Sequence, residues 1–260
     1  ILLAHTLGIN RLDLYLQHDR PLEQKELSDF KQLIRRRKSG EPSAYITGKK
    51  GFYEDEFTDQ EGVLIPRPDT ETLVECALDY LRTEAGQQPE KPLKILELGT
   101  GSGAIVISLA KALPRHHYFA SDLSLAALGQ AVENAERIAE GRVAFFGAAW
   151  LTAIKEMAFF DLVISNPPYI RSEQIETLAP EIRQFEPRMA LDGGADGLDC
   201  YREILAHAHS CMSSGGALML EIGYDQREGI AGLLRSDGRY GRIRFIQDLA
   251  GHDRVVFVKK

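Results

Sequence analysis

Leu93-Lys94-Ile95-Leu96-Glu97-Leu98-Gly99-Thr100-Gly101-Ser102-Gly103-Ala104 is the stretch that decides the fold. A short apolar run enters three glycines spaced by single residues, then passes into the apolar Ile105-Val106-Ile107. That order reads as strand, tight turn, helix, with the strand over 93–97 and the helix over 102–113. Glycines let the backbone turn sharply and let a ligand approach the helix amino end, where unpaired N–H groups collect. The stretch is therefore a nucleoside-cofactor loop. Gly99, Gly101 and Ala104 also satisfy G-x-G-x-x-A, so the glycines alone do not separate a dinucleotide from another adenosine cofactor.

Working outward, the chain alternates strand and helix. Strands are expected at 117–121, 143–146 and 160–165, with a helix over 124–139 between the first two. This βαβ rhythm belongs to a doubly wound, mostly parallel sheet with helices on both faces. A long loop to about Ala195 should follow, then a helix over 198–212, a strand over 217–222, a helix over 226–234 and a closing antiparallel pair at 242–247 and 254–258. Upstream, Pro66-Arg67-Pro68 breaks regular structure, Asp69 reads as a helix N-cap and Glu71 favours the positive helix end, with the helix continuing through Leu81 and a loop spanning 87–92.

Residues 1–43 carry apolar positions at helical spacing and form a small helical module, and 44–65 read as a β-hairpin linker into a main domain over 66–260. The module closes on Arg35-Arg36-Arg37-Lys38-Ser39-Gly40, where cations suit the negative helix end and Gly40 suits the C′ position. Four adjacent cations also leave open a docking patch for an acidic or RNA-rich partner. Ile1-Leu2-Leu3-Ala4 looks like the middle of a helix, so earlier residues are expected to be missing from this sequence.

Composition narrows the classes. With 27% charged and 44% hydrophobic residues the chain is an ordinary globular one, and ordered throughout. A formal charge of −7 does not hold a protein on nucleic acid or anionic lipid, so direct nucleic-acid binding is not expected. The three cysteines lack any C-x-x-C pair, which argues against a disulfide framework or zinc knuckle and points to a reducing cytoplasm. No run approaches a membrane span, and no signal peptide is visible.

Asp122 follows the second strand at the place where a carboxylate accepts hydrogen bonds from both ribose hydroxyls, with capping of the helix after Leu123 as the lesser alternative. Glu97, directly before the glycines, suits a cofactor that bears an ammonium group. Asn166-Pro167-Pro168-Tyr169 follows the apolar run ending at Ser165, so a turn stiffened by two prolines stands at a strand's carboxyl end. A rigid amide beside an aromatic ring is a device for recognising a planar NH2 group. Hydride transfer needs no such clamp, whereas methyl transfer to nitrogen does, and S-adenosylmethionine is favoured over a nicotinamide. An amide nitrogen is a poor nucleophile because its lone pair is delocalised. The Asn166 side-chain oxygen and the Pro167 carbonyl would hold its NH2 toward the sulfonium methyl, with Tyr169 packed against it.

Ile65-Pro66-Arg67-Pro68-Asp69-Thr70-Glu71, Glu97 to Ile105, Asn166 to Ile170, Gly193-Gly194-Ala195-Asp196-Gly197-Leu198 and Asp248-Leu249-Ala250-Gly251-His252-Asp253-Arg254 together resemble the HemK/PrmC family, the peptide-chain release factor glutamine methyltransferases. The resemblance covers essentially the whole chain. It implies a Rossmann-like class I methyltransferase domain and N5-methylation of the glutamine in the Gly-Gly-Gln motif of class 1 release factors. It also implies a helical amino-terminal domain that grips the protein substrate, and S-adenosylhomocysteine as product. Carried over by position, cofactor contacts fall on Glu97, Gly99, Thr100, Gly101, Ser102, Gly103, Asp122, Trp150 and Asn166. The substrate contacts fall on Asn166, Pro167, Pro168, Tyr169 and Arg67, with Asn166, Pro167 and Tyr169 closest to the chemistry. Trp150 could instead be a core residue, and Arg67 a structural ion pair. A monomer without metal is expected.

The nearest rival is an amino methyltransferase acting on adenine N6 in DNA or RNA, since an adenine NH2 presents similar donors to the same clamp. His207 and His209 point apart on a helix, and Asp192, Asp196 and Asp199 miss any calcium-loop spacing, so neither set reads as a metal site. Ser102 and Ser165 lack the partners of a hydrolase triad.

Overall fold

The computed structural model describes residues 1–87 and 91–260. The central part of the loop expected over 87–92 lies outside them, and Gln87 itself ends a helix.

At the amino end, α1 (Leu2–Leu7) stops at Gly8 in the left-handed region, and α2 (Arg11–Leu16) is held by a capping box between Asn10 and Asp13. Helix α3 (Gln24–Lys38) ends in the basic run, with Gly40 at φ 98° beyond Ser39. Helix termination thus accounts for the glycine, and two of the four cations have acidic partners: Arg36 pairs with Glu41, and Arg37 lies 2.5 Å from Glu181.

The segment expected to be wholly β opens with a short helix, α4 (Ser43–Thr47), flanked by Pro42 and ended by Gly48 at φ 70°. The hairpin β1 (Lys49–Phe52) and β2 (Asp55–Thr58) follows in antiparallel register. Phe52 and Phe57 bury their rings edge to face, 6.0 Å apart.

Asp69 does not cap the next helix. Pro68–Thr70 form a 3-10 turn behind Arg67, and α5 (Glu71–Gln87) continues from it, because two prolines fix the entry and free Asp69 for an ion pair with Arg254 at 3.2 Å.

The main domain then alternates β3 (Lys94–Leu98), α6 (Ala104–Ala112), β4 (His117–Asp122), α7 (Leu125–Ala139), β5 (Val143–Gly147) and β6 (Phe160–Ser165). The long connection after β6 contains two short helices, α8 (Ser172–Ile175) and α9 (Pro180–Phe185), and leads to α10 (Asp199–Cys211), β7 (Met212–Glu221), α11 (Arg227–Asp237), β8 (Ile243–Gln247) and β9 (Asp253–Lys259). Strand β7 begins before its glycines rather than after them. A register shift between Phe160 and Leu162 absorbs the irregularity, and Gly216 fits there because a Cβ would stand 3.1 Å from the Phe160 carbonyl oxygen.

The sheet order is β5-β4-β3-β6-β7-β9-β8, parallel from β5 through β7 and antiparallel beyond. Chain progression reverses between β3 and β6, which makes their carboxyl ends the switch point where open α/β sheets bind ligands. Both faces are covered. Helix α6 is buried from Ala104 through Ala110, and Leu96, Val163, Leu218 and Tyr201 belong to the core of the opposite face. Fully burying a side chain of this size contributes roughly 1.5–3 kcal/mol, so these faces anchor the loops at the sheet's edge.

Candidate active site at the sheet switch point

Two recognition elements emerge side by side because their strands are in register. Leu98 and Ser165 are paired across β3 and β6, and the Ser165 hydroxyl donates to the Leu98 carbonyl at 2.7 Å. Gly99 and Asn166 are the next residues on each strand, and both line one cleft.

On the first side, Gly99, Gly101 and Gly103 take φ of 65, 57 and 83°, a region that carries strain for a side-chain-bearing residue. Gly103 also lets two helices meet, since a Cβ there would stand 3.2 Å from the Ala131 methyl. The Gly101 N–H donates to Asp122 Oδ2 and the Ser124 N–H to Asp122 Oδ1, each at 2.8 Å. Asp122 thus braces the loop and the approach to the next helix, whose N-cap is Ser124, and its carboxylate lines the cleft.

Glu97 is 1% exposed. Its Oε2 accepts from the Thr100 hydroxyl at 2.6 Å and from the Val106 N–H in the first turn of α6 at 3.1 Å. Burial nonetheless pushes its carboxyl up to about 8, against both bonds. Trp150 lines the cleft at φ 49°, its ring 3.5 Å from where a Gly99 Cβ would sit, and it also packs on the core. Thr100 and Ser102 belong to the same wall.

On the second side, Asn166 and Pro168 line the cleft, and Met189 and Ala190 of the long connection stand in the same wall. The Asn166 Nδ2 donates to Thr70 Oγ1 at 3.1 Å. Tyr169 turns its hydroxyl toward Glu221 Oε1 at 3.3 Å, and burial holds the phenol protonated well above its usual range. The turn is clamped from behind. Gln226 Nε2 donates to the carbonyls of Tyr169 and Gly197 at 2.9 and 3.0 Å, and Gly193 N–H to Ile170 at 2.8 Å. A Cβ on Gly193 would stand 2.8 Å from Tyr169 Cα, so only glycine lets this loop pass under the tetrapeptide.

Arg67 forms the structural ion pair that was one of its two expected roles. It lines the cleft and pairs with the buried Glu186 at 2.6 Å. Sequence reasoning gave no role to Glu186, Thr70, Glu221, Gln226 or the Arg254 side chain. One signal was available: Leu218-Met219-Leu220-Glu221 repeats the pattern of Ile95-Leu96-Glu97, an acid closing an apolar strand.

A parallel sheet with a reversed final pair, a glycine loop and strand-end carboxylate on one side of its switch point and a braced amide on the other, defines a class I methyltransferase-like protein. The fold is similar to a methyltransferase from Pyrococcus furiosus (TM-score 0.54, 16% identity, covering 90% of this chain and 98% of that one). It is also similar to the ribosomal protein L11 methylase from Lactobacillus delbrueckii subsp. bulgaricus (TM-score 0.50, 18% identity, covering 81% and 88%). Family models described as "PrmC N-terminal domain" and "Methyltransferase small domain" match residues 1–48 and 80–184. Curated relatives named release factor glutamine methyltransferase align along the chain. The one from Rhodopirellula baltica is 37% identical, covering 100% of this chain and 88% of its own length, and the one from Geobacter sulfurreducens is 40% identical, covering 98% and 86%. The chain belongs to the release factor glutamine methyltransferase family.

Proposed function

We propose that this protein transfers a methyl group from S-adenosylmethionine to the side-chain nitrogen of the Gly-Gly-Gln glutamine in class 1 peptide chain release factors. The observation that carries the site assignment is the side-by-side emergence of Gly99 and Asn166 from the registered pair Leu98 and Ser165. Relatives matched over nearly the whole chain carry the substrate assignment.

The residues present fit the cofactor. Gly99, Gly101 and Gly103 let the backbone of the loop come close to a ligand, the Asp122 carboxylate suits ribose hydroxyls, and Glu97 suits an α-ammonium, whose charge would draw its carboxyl back to the ionised form. Trp150 and Leu123 supply apolar surface for a base. When bound, S-adenosylmethionine supplies an electrophilic methyl on a sulfonium and departs as S-adenosylhomocysteine.

Asn166 Oδ1 and the Pro167 carbonyl accept the two N–H bonds of the glutamine NH2 and orient its nitrogen. As nitrogen leaves amide resonance and gains positive charge, both acceptors stabilise it more than they stabilised the ground state. The new N–C bond forms as the S–C bond breaks, and the proton lost from nitrogen passes to water. Pro168 and Tyr169 hold the turn that aims these oxygens, and Arg67 closes the rim. Residues 1–43 grip the release factor, the 44–65 linker joins them to the 66–260 domain, and the protein works as a cytoplasmic monomer. Among the described residues no helix is long and apolar enough to cross a membrane.

Incubation with methyl-labelled S-adenosylmethionine and, in parallel, a release factor, DNA or RNA tests the substrate class. Label in the protein alone is expected. Label in nucleic acid alone would replace this reading with adenine methylation.

A further inference from the structure

Segments far apart in sequence meet behind Asn166. Thr70 comes from the turn before α5, Glu221 from the end of β7, Tyr169 from the turn after β6, and Arg254 from β9. Arg254, 7% exposed, lies 3.2 Å from Asp69 and 3.1 Å from Asp248, and its carbonyl accepts from the Ile222 N–H at 2.9 Å, which brings its strand against Glu221. Glu221 is 1% exposed. Its Oε1 takes the Tyr169 hydroxyl, while Oε2 is buried without a hydrogen-bond partner. Burial pushes its carboxyl up to about 7, while the Thr70 hydroxyl and the Arg254 guanidinium favour its charge.

An asparagine amide is nearly symmetric in shape and opposite in chemistry at its two ends. Turned one way, Asn166 offers an oxygen to a substrate NH2. Turned the other, it offers a second NH2, and donor meets donor. Thr70 Oγ1, 3.1 Å from Asn166 Nδ2, is the group that chooses. Thr70 Oγ1 accepts from Asn166 Nδ2, which leaves Nδ2 inward and Oδ1 outward.

We infer that Thr70 is a positioning residue that sets the Asn166 amide with its oxygen toward the substrate nitrogen. This rests on the proposed amide-methylating reaction.

Thr70→Val keeps the shape and removes the hydroxyl. Its kcat is expected to fall about tenfold, the order of one lost hydrogen bond, with KM for S-adenosylmethionine unchanged, and Thr70→Ser should restore kcat. Combined with Asn166→Ala, Thr70→Val should add little, since both act through one amide. Melting curves establish that each variant is folded. Folded Thr70→Val with wild-type kcat would overturn the inference, as would losses that multiply in the double variant. Failure of the wild-type enzyme to methylate the release factor would instead overturn the proposed reaction.

Discussion

Glu97 and Glu221 are both carboxylates buried at strand ends, on either side of the switch point, yet they are held in opposite ways. Glu97 is satisfied within ten residues of itself, by the Thr100 hydroxyl and the Val106 N–H. Glu221 is surrounded by groups from the turn after β6, the turn before α5 and β9. The proposed cofactor side is thus a local device, complete once β3, its loop and α6 form. The amide side is a tertiary one, complete only when both ends of the main domain have closed on it.

If the two sides are separable, damage to one should leave the other working. The largest effect is expected from Asn166→Ala: single-turnover methyl transfer should fall by roughly two orders of magnitude, while calorimetric cofactor affinity changes little. Proportionate loss of both would dissolve the comparison. Gly193→Ala pushes a methyl into the backbone beneath Tyr169 and should lower kcat about tenfold through misplacement of the turn, again with cofactor affinity retained.

The cofactor side should answer in the opposite currency. Asp122→Asn removes the charge and leaves one oxygen to serve the Gly101 and Ser124 N–H groups, so Kd for the cofactor should rise several-fold with kcat at saturation nearly unchanged. The smallest effect is a pH dependence. The Glu97 carboxyl loses its proton near 4.5 when unfolded and near 8 when buried, so between those values the native state holds more protons and stability falls as pH rises. Glu97→Gln removes that slope, and its melting temperature relative to wild type should climb across the window by about a few degrees. Wild-type cofactor binding should tighten over the same range, because an ammonium favours the ionised carboxylate.

The same contrast explains what the sequence made legible. The glycine loop, Asp122 and the βαβ rhythm are written in adjacent residues, and β3, α6, β4 and α7 stand close to their expected bounds. The proline-stiffened tetrapeptide was visible too, but not what braces it. Thr70, Glu221 and Gln226 reach it only through sheet topology, which no local pattern specifies. Local errors have local causes. Pro68 turns the chain before Asp69 can cap a helix, Gly48 ends a short helix in an expected β segment, and pairing with β6 draws Met212 into β7 ahead of its glycines.

The central claim is that the amide side of the switch point selects a protein glutamine. Its most direct test is peptide-level mass spectrometry of a class 1 release factor after incubation with the wild-type enzyme and S-adenosylmethionine. One methyl group on the glutamine of Gly-Gly-Gln, absent with Asn166→Ala, is the expected result. A methyl on any other residue, or the same yield from Asn166→Ala, would contradict it.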